Sequence, residues 1–150
     1  ERGMRSGTLA THQIAGMGEA FAIATAEGEA DQARITALRD RLLAGLNDIG
    51  GIHRNTAVAV AVPNILNLAF EGVEGESLLM ALRDIALSTG SACNSASVEP
   101  SYVLKGIGLP RPLALASLRF SFGRFTTEAD IDRTLNALRH ALNGLRRRAV

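Results

Sequence analysis

Leu118-Arg119-Phe120-Ser121-Phe122 is the stretch whose pattern decides the fold. Its apolar residues fall on every second position, so Leu118, Phe120 and Phe122 face one way and Arg119 and Ser121 the other, the pattern of a strand with one buried face. Thr126 or Thr127 then stands where a helix N-cap belongs, with Glu128 and Asp130 well placed in the first turn. The helix that follows carries Ile131, Leu135, Leu138, Leu142 and Leu145 at a four-three spacing. A strand with one apolar face followed by an amphipathic helix is the building unit of a small sheet covered by helices.

The rest of the chain fits around that unit. Ser101 to Ile107 reads as a short helix, introduced by Pro100 and stopped by Gly108. Leu78, Leu79, Leu82, Ile85 and Ala86 form the apolar face of a helix running to Ser88-Thr89-Gly90. Ile65 to Phe70 is an extended run followed by a turn over residues 71–75, and the Ala-Val alternation of Ala57 to Val62 predicts a further strand before Pro63-Asn64. From His12 to Leu46 the apolar residues Ile14, Met17, Phe21, Ile35, Leu38, Leu42 and Leu46 recur at threes and fours. This predicts one long helix, or two nearly continuous ones with a break near Gly28, stopped at Asn47 to Gly51. The expected fold class is α/β, a small α+β-like domain with its sheet covered by helices and preceded by a long helix. Residues 28–150 form that domain, and residues 1–27 are a segment leading into it.

Composition narrows the function. The 150 residues are 47% hydrophobic and 21% charged, which is globular usage. Sixteen basic against fifteen acidic side chains leave a net charge of +1, and so no electrostatic reason to expect nucleic acid or an anionic membrane. One cysteine makes neither an intramolecular disulfide nor a structural zinc site. His12, His53 and His140 lack metal-ligand spacing, so no metal is expected. No apolar run approaches the roughly 20 residues that span a bilayer, and no signal-peptide pattern opens the chain. A reducing, cytoplasmic setting is the expectation.

Three places carry candidate chemistry. Cys93 lies among the small residues Ser91 to Ser97. It is either a small buried hydrophobe or a thiol on a polar loop able to ionise and act as a nucleophile. Its surroundings predict that Ser88 to Ser97 is the least ordered internal stretch. Arg119 is either an ordinary sheet-surface arginine paired with a carboxylate or a fork that clamps a substrate carboxylate. Arg5-Ser6-Gly7-Thr8 combines a guanidinium, two hydroxyls and a glycine, a weak anion-binding signature. The one lysine, Lys105, is the single residue of this sequence able to form a Schiff base.

Several of these stretches together resemble one family. Glu1-Arg-Gly-Met-Arg-Ser-Gly-Thr8, His12-Gln13-Ile14 and Gly16-Met17-Gly18-Glu19-Ala20 are similar to the middle of the IscS/NifS-type cysteine desulfurases, class V aminotransferases of pyridoxal phosphate fold type I. So are Pro63-Asn64-Ile65-Leu66-Asn67, Glu74-Gly75-Glu76-Ser77, Gly90-Ser91-Ala92-Cys93 with Ser95-Ala96-Ser97, Glu99 to Leu104, and Leu118-Arg119-Phe120-Ser121 with Gly123 to Glu128. The resemblance implies a homodimeric enzyme that uses pyridoxal 5′-phosphate to convert L-cysteine to L-alanine, leaving the sulfur as a persulfide for an iron–sulfur scaffold or another acceptor. It implies that Cys93 accepts the sulfur, that Arg119 binds the substrate carboxylate, and that Thr8 reaches the cofactor phosphate across the dimer. It further implies that this chain is the carboxyl-terminal part of such an enzyme. The Schiff-base lysine, which Lys105 does not match, belongs to an amino-terminal domain, and the chain alone is expected to be inactive. The alternatives are a non-catalytic dimerisation or persulfide-carrier module, and a related pyridoxal phosphate lyase or selenocysteine-processing enzyme.

Overall fold

The computed structural model describes residues 3, 6–57, 60–89 and 99–148. In chain order the elements are α1 (Thr11–Ala44), β1 (Ile52–Arg54), β2 (Ile65–Phe70), α2 (Gly75–Ala81), α3 (Tyr102–Gly106), α4 (Arg111–Leu115), β3 (Ser117–Ser121) and α5 (Glu128–Arg148). The chain divides into two units, residues 1–33 and residues 34–150. α1 runs through the division as one helix, uninterrupted at Gly28, since a single glycine costs a helix only about 1 kcal/mol. Among the described residues no helix is long and apolar enough to cross a membrane.

In the larger unit the sheet is three-stranded and antiparallel throughout, in the order β1-β2-β3. This is the expected mixed architecture of a small sheet, covering helices and a long first helix. β2 and β3 are registered so that Leu66 faces Phe120 and Leu68 faces Leu118. These side chains, with Phe70, form one buried face. Against it pack Leu38, Leu42 and Leu46 from α1 and its end, Leu78 and Leu82 from α2 and its cap, and Ile131, Leu138 and Leu142 from α5. The Phe70 and Phe120 rings meet at a 56° tilt with centroids 6.5 Å apart. Arg34 of α1 donates to the carbonyls of Thr126 and Arg124 in the turn before α5. Thr127 and Asp130 close the start of α5 reciprocally. The Thr127 hydroxyl donates to Asp130 Oδ2 at 2.7 Å, and the Asp130 amide donates to Thr127 Oγ1 at 3.3 Å.

Two expectations are corrected. The strand over Ala57 to Val62 does not form at its described residues. Ala57 and Val62 have no regular structure, Val60 lies in a 3-10 turn and Ala61 in a bend, with Val60 78% and Val62 55% exposed. The pairing edge of β2 is taken instead by the three-residue β1, so the described residues of the Ala-Val run have no ladder to join. Helix α2 stops at Ala81 with Leu82 as its cap, and Ile85 lies beyond it in a turn bonded to the Leu82 carbonyl at 2.8 Å. α4, which no pattern announced, delivers Ser117 to the sheet.

Two features of α2 give tests of this packing. Gly75 lies so close to α4 that an added Cβ would stand 2.1 Å from the Leu115 carbonyl oxygen, a backbone atom unable to step aside. Gly75→Ala is expected to destabilise the protein by about 1–3 kcal/mol, read as a lowered denaturant midpoint with unchanged slope. Glu74 caps the same helix, accepting from the Glu76 amide at 2.9 Å and the Ser77 amide at 2.6 Å. Hydrogen bonding from the Ser77 side chain, then from the two amides, holds its carboxyl below the usual 4.5. A lowered folded pKa means that the cap's contribution is complete above the unfolded pKa and is lost as pH falls through the folded one. Glu74→Gln should therefore cost about 1 kcal/mol at neutral pH and flatten the acid limb of a stability–pH profile. An unchanged acid limb would show that Glu74 does not contribute to it.

Candidate functional site

The pleat of β3 dictates the site. With Leu118 and Phe120 turned into the core, Arg119 and Ser121 emerge on the opposite face, and both are exposed. The backbone of Arg119 is fully paired on the outer edge of the strand. Its amide donates to the Ser88 carbonyl at 2.7 Å, and its carbonyl accepts from the Ser88 amide at 3.4 Å. Because both polar groups of Arg119 point toward Ser88, its partner on the inner side, Asn67 of β2, faces it as a non-hydrogen-bonded pair. In such pairs the side chains approach most closely, with Cβ atoms roughly 4.5–5.5 Å apart. Asn67 directs its own backbone the other way, its carbonyl accepting from the Asn55 amide at 3.0 Å.

Polar side chains line this face beside the arginine. Asn55 Nδ2 donates to Asn67 Oδ1 at 2.5 Å and to Ser117 Oγ at 3.0 Å, and the Ser117 hydroxyl donates to the Leu113 carbonyl at 2.8 Å. Asn55 Oδ1 is buried without a donor among the described residues. The guanidinium of Arg119 has no hydrogen-bond or ion-pair partner among the described residues, so a carboxylate neighbour of the ordinary surface kind is not found there. This separates Arg119 from Arg41, Arg111 and Arg139, each of which is bound to an acidic side chain. A cavity of about 280 Å³ is lined by Phe120, Ser121, Phe122, Ile85, Asp130 and Thr134 among others. Arg119 does not line it.

The remaining residues singled out by the sequence are less fully framed. Cys93 and residues 90–98 lie outside the described residues, so the expected loop around the thiol is not described. The segment is framed by Ser88, two residues before it, and by Glu99, just after it. Glu99 pairs with Arg111 at 3.2 Å and with Lys105 at 3.6 Å. Thr8 is exposed in a bend three residues before α1, next to Gly7, whose φ of 80° is the left-handed conformation that glycine tolerates. Arg5 lies outside the described residues. Thr8 belongs to the unit of residues 1–33 and Arg119 to that of residues 34–150. Asn67 and Asn55 were not signalled by periodicity. The trace Asn67 leaves in the sequence is that of a lone polar residue inside the apolar run Ile65 to Phe70.

Known proteins share both the sequence and this architecture. The chain is 56% identical over 146 residues to the cysteine desulfurase IscS of Klebsiella pneumoniae and 59% identical to that of Photobacterium profundum. Each alignment covers 97% of this chain and 36% of the relative, so the chain spans about a third of the length of the curated relatives it matches. Among solved structures, a NifS-like protein superposes with a TM-score of 0.81 at 29% identity, over 96% of this chain and 37% of its own. DndA from Streptomyces lividans superposes with a TM-score of 0.61 at 39% identity, over 81% of this chain and 34% of its own. The sequence profile of class-V aminotransferases matches residues 1–134, including β3 with Arg119 and the capped start of α5, and the chain belongs to that family.

Proposed function

We propose that this chain forms part of a pyridoxal 5′-phosphate-dependent cysteine desulfurase, which converts L-cysteine to L-alanine and takes the sulfur onto Cys93 as a persulfide. The observation that carries the reading is the pairing of Ser88 with Arg119. Ser88, five residues before Cys93 in the sequence, is bonded to the proposed carboxylate-binding arginine. A desulfurase must hold the carboxylate of its substrate while a thiolate approaches the sulfur of the same molecule, and fixed relative placement is worth several kcal/mol of barrier. The names of the similar proteins, cysteine desulfurase IscS, support the same reading.

The residues present fit the edge of the cofactor and not its centre. Ser6 and Thr8 offer hydroxyls around Gly7, whose left-handed backbone suits an anion-binding turn, and Thr8 is the proposed phosphate ligand. Lys105 is exposed on α3 and ion-paired with Glu99, so the lysine that anchors the cofactor is not drawn from these residues. When bound, the cofactor supplies an electron sink for bonds broken at the substrate. Arg119 holds the substrate carboxylate with a charge-assisted, two-pronged bond. The thiolate of Cys93 attacks the substrate sulfur, so that a sulfur–sulfur bond forms as the carbon–sulfur bond breaks, its electron pair leaving with the carbon, which takes up a proton to become the methyl group of alanine. The enzyme in this reading is a cytoplasmic homodimer that passes its persulfide sulfur to an acceptor such as an iron–sulfur scaffold protein.

In the intact protein containing this chain, Cys93→Ser should abolish persulfide formation from L-cysteine while leaving L-cysteine binding intact. Arg119→Ala should raise the KM for L-cysteine about thirtyfold or more, the effect of removing roughly 2 kcal/mol or above of charge-assisted binding. Turnover of the serine variant near the wild-type rate would make Cys93 a structural residue. An unchanged KM would make Arg119 an ordinary surface arginine.

A further inference from the structure

We propose that Asn67 is a second carboxylate-binding residue, donating from its side-chain Nδ2 to the same substrate anion that Arg119 holds. The inference rests on the desulfurase reading above and extends it to a residue that sequence periodicity passes over.

The argument begins in the ladder. Arg119 spends its backbone groups on Ser88 and Asn67 spends its carbonyl on Asn55, so the two residues face each other as the close, non-hydrogen-bonded kind of antiparallel pair. Their side chains therefore rise side by side from one face of the sheet. The Asn67 amide is also oriented. Its Oδ1 is held by Asn55 Nδ2, which is fixed in turn by Ser117 and the Leu113 carbonyl. With the oxygen committed, the NH2 group must present its two hydrogens away from Asn55, and Nδ2 has no hydrogen-bond partner among the described residues. Asn67 is only half-buried, so a ligand can reach it.

A carboxylate suits what these two groups leave open. It offers about four lone-pair sites, of which a guanidinium fork takes two. A neutral, pre-oriented donor on one flank fills a further site without adding charge. The amide fixes the in-plane orientation of the anion, which a cation alone does not. The chain of hydrogen bonds through Asn55 and Ser117 keeps that donor aimed before substrate arrives, so little ordering is left to occur on binding. The ligand class assigned to the pair is the α-carboxylate of an amino acid.

The decisive variant is Asn67→Asp in the intact enzyme. It keeps the shape of the side chain and the acceptor for Asn55, removes both donors, and sets a negative charge beside Arg119. The KM for L-cysteine should rise at least about tenfold, equivalent to about 1.4 kcal/mol, with kcat within about twofold. Competitive inhibition by cysteamine, which lacks the carboxylate, should not weaken. Asn67→Ala should shift KM in the same direction by a smaller factor, and provides the reading if the aspartate variant folds poorly. An unchanged KM in both variants, with Arg119→Ala still raising it, overturns the role of Asn67 and leaves the carboxylate site intact. Equal weakening of L-cysteine and cysteamine marks Asn67 as a structural residue and overturns it as well. If Arg119→Ala also leaves KM unchanged, the carboxylate-site reading itself falls.

Discussion

The structure of the larger unit depends on the one-sided burial of β2 and β3. Leu68, Phe70 and Leu118 are fully buried, as are the helix residues Leu42, Leu138 and Leu142 that cover them. At roughly 1.5–3 kcal/mol for each large apolar side chain removed from water, this face is the dominant local reason for the sheet's register. A slip of one residue would exchange the faces, exposing Leu118 and Phe120 and forcing the Arg119 guanidinium into the core. Packing on one side thus determines which residues are delivered to the other. Asn67, Ser117, Arg119 and Ser121 share a face because Leu66, Leu68, Leu118 and Phe120 share its opposite.

How much of this was legible in the sequence follows from where the signal is strong. β3 and α5 were legible because each has a clean period and a bounded length, and the Thr127–Asp130 cap stands where the residue types predict it. The misreading of Ala57 to Val62 shows the limit of periodicity. Alternating Ala and Val fit a pleated surface, but a strand exists only where a neighbour offers a ladder, and β1 with its three residues took that place. β1 itself, Ile52-His53-Arg54, is too short to carry a period. α4 spans five residues and begins at a proline-rich bend, so it leaves no helical repeat to count.

The same contrast holds at the site. Arg119 could be singled out because alternation assigns each residue of a strand to a face, and its lack of an acidic partner among the described residues is information that only the fold supplies. The relation between Arg119 and Asn67 was illegible for a different reason. It depends on register between strands about fifty residues apart and on the parity of the hydrogen-bonded pairs, and neither leaves a trace in the local sequence. Cys93 stood out in the sequence as a single thiol among small residues, which left a buried hydrophobe and an exposed nucleophile both open, and its motif carried part of the family resemblance.

The Ser88–Arg119 pair links these levels. An unpaired edge on β3 would leave the strand free to bond to another chain and its arginine free to swing. By bonding to both backbone groups of Arg119, Ser88 occupies that edge at this one residue, while the pleat directs the guanidinium out of the sheet. Because Ser88 uses these particular groups, Asn67 is left as the close side-chain neighbour on the other side. One short backbone contact therefore satisfies the strand at Arg119 and fixes which residue of β2 faces its side chain most closely. A helix surface would not substitute, since neighbouring helical side chains splay around the axis, whereas facing strands hold two side chains parallel on one plane. A flat ligand such as a carboxylate is better met by the second arrangement.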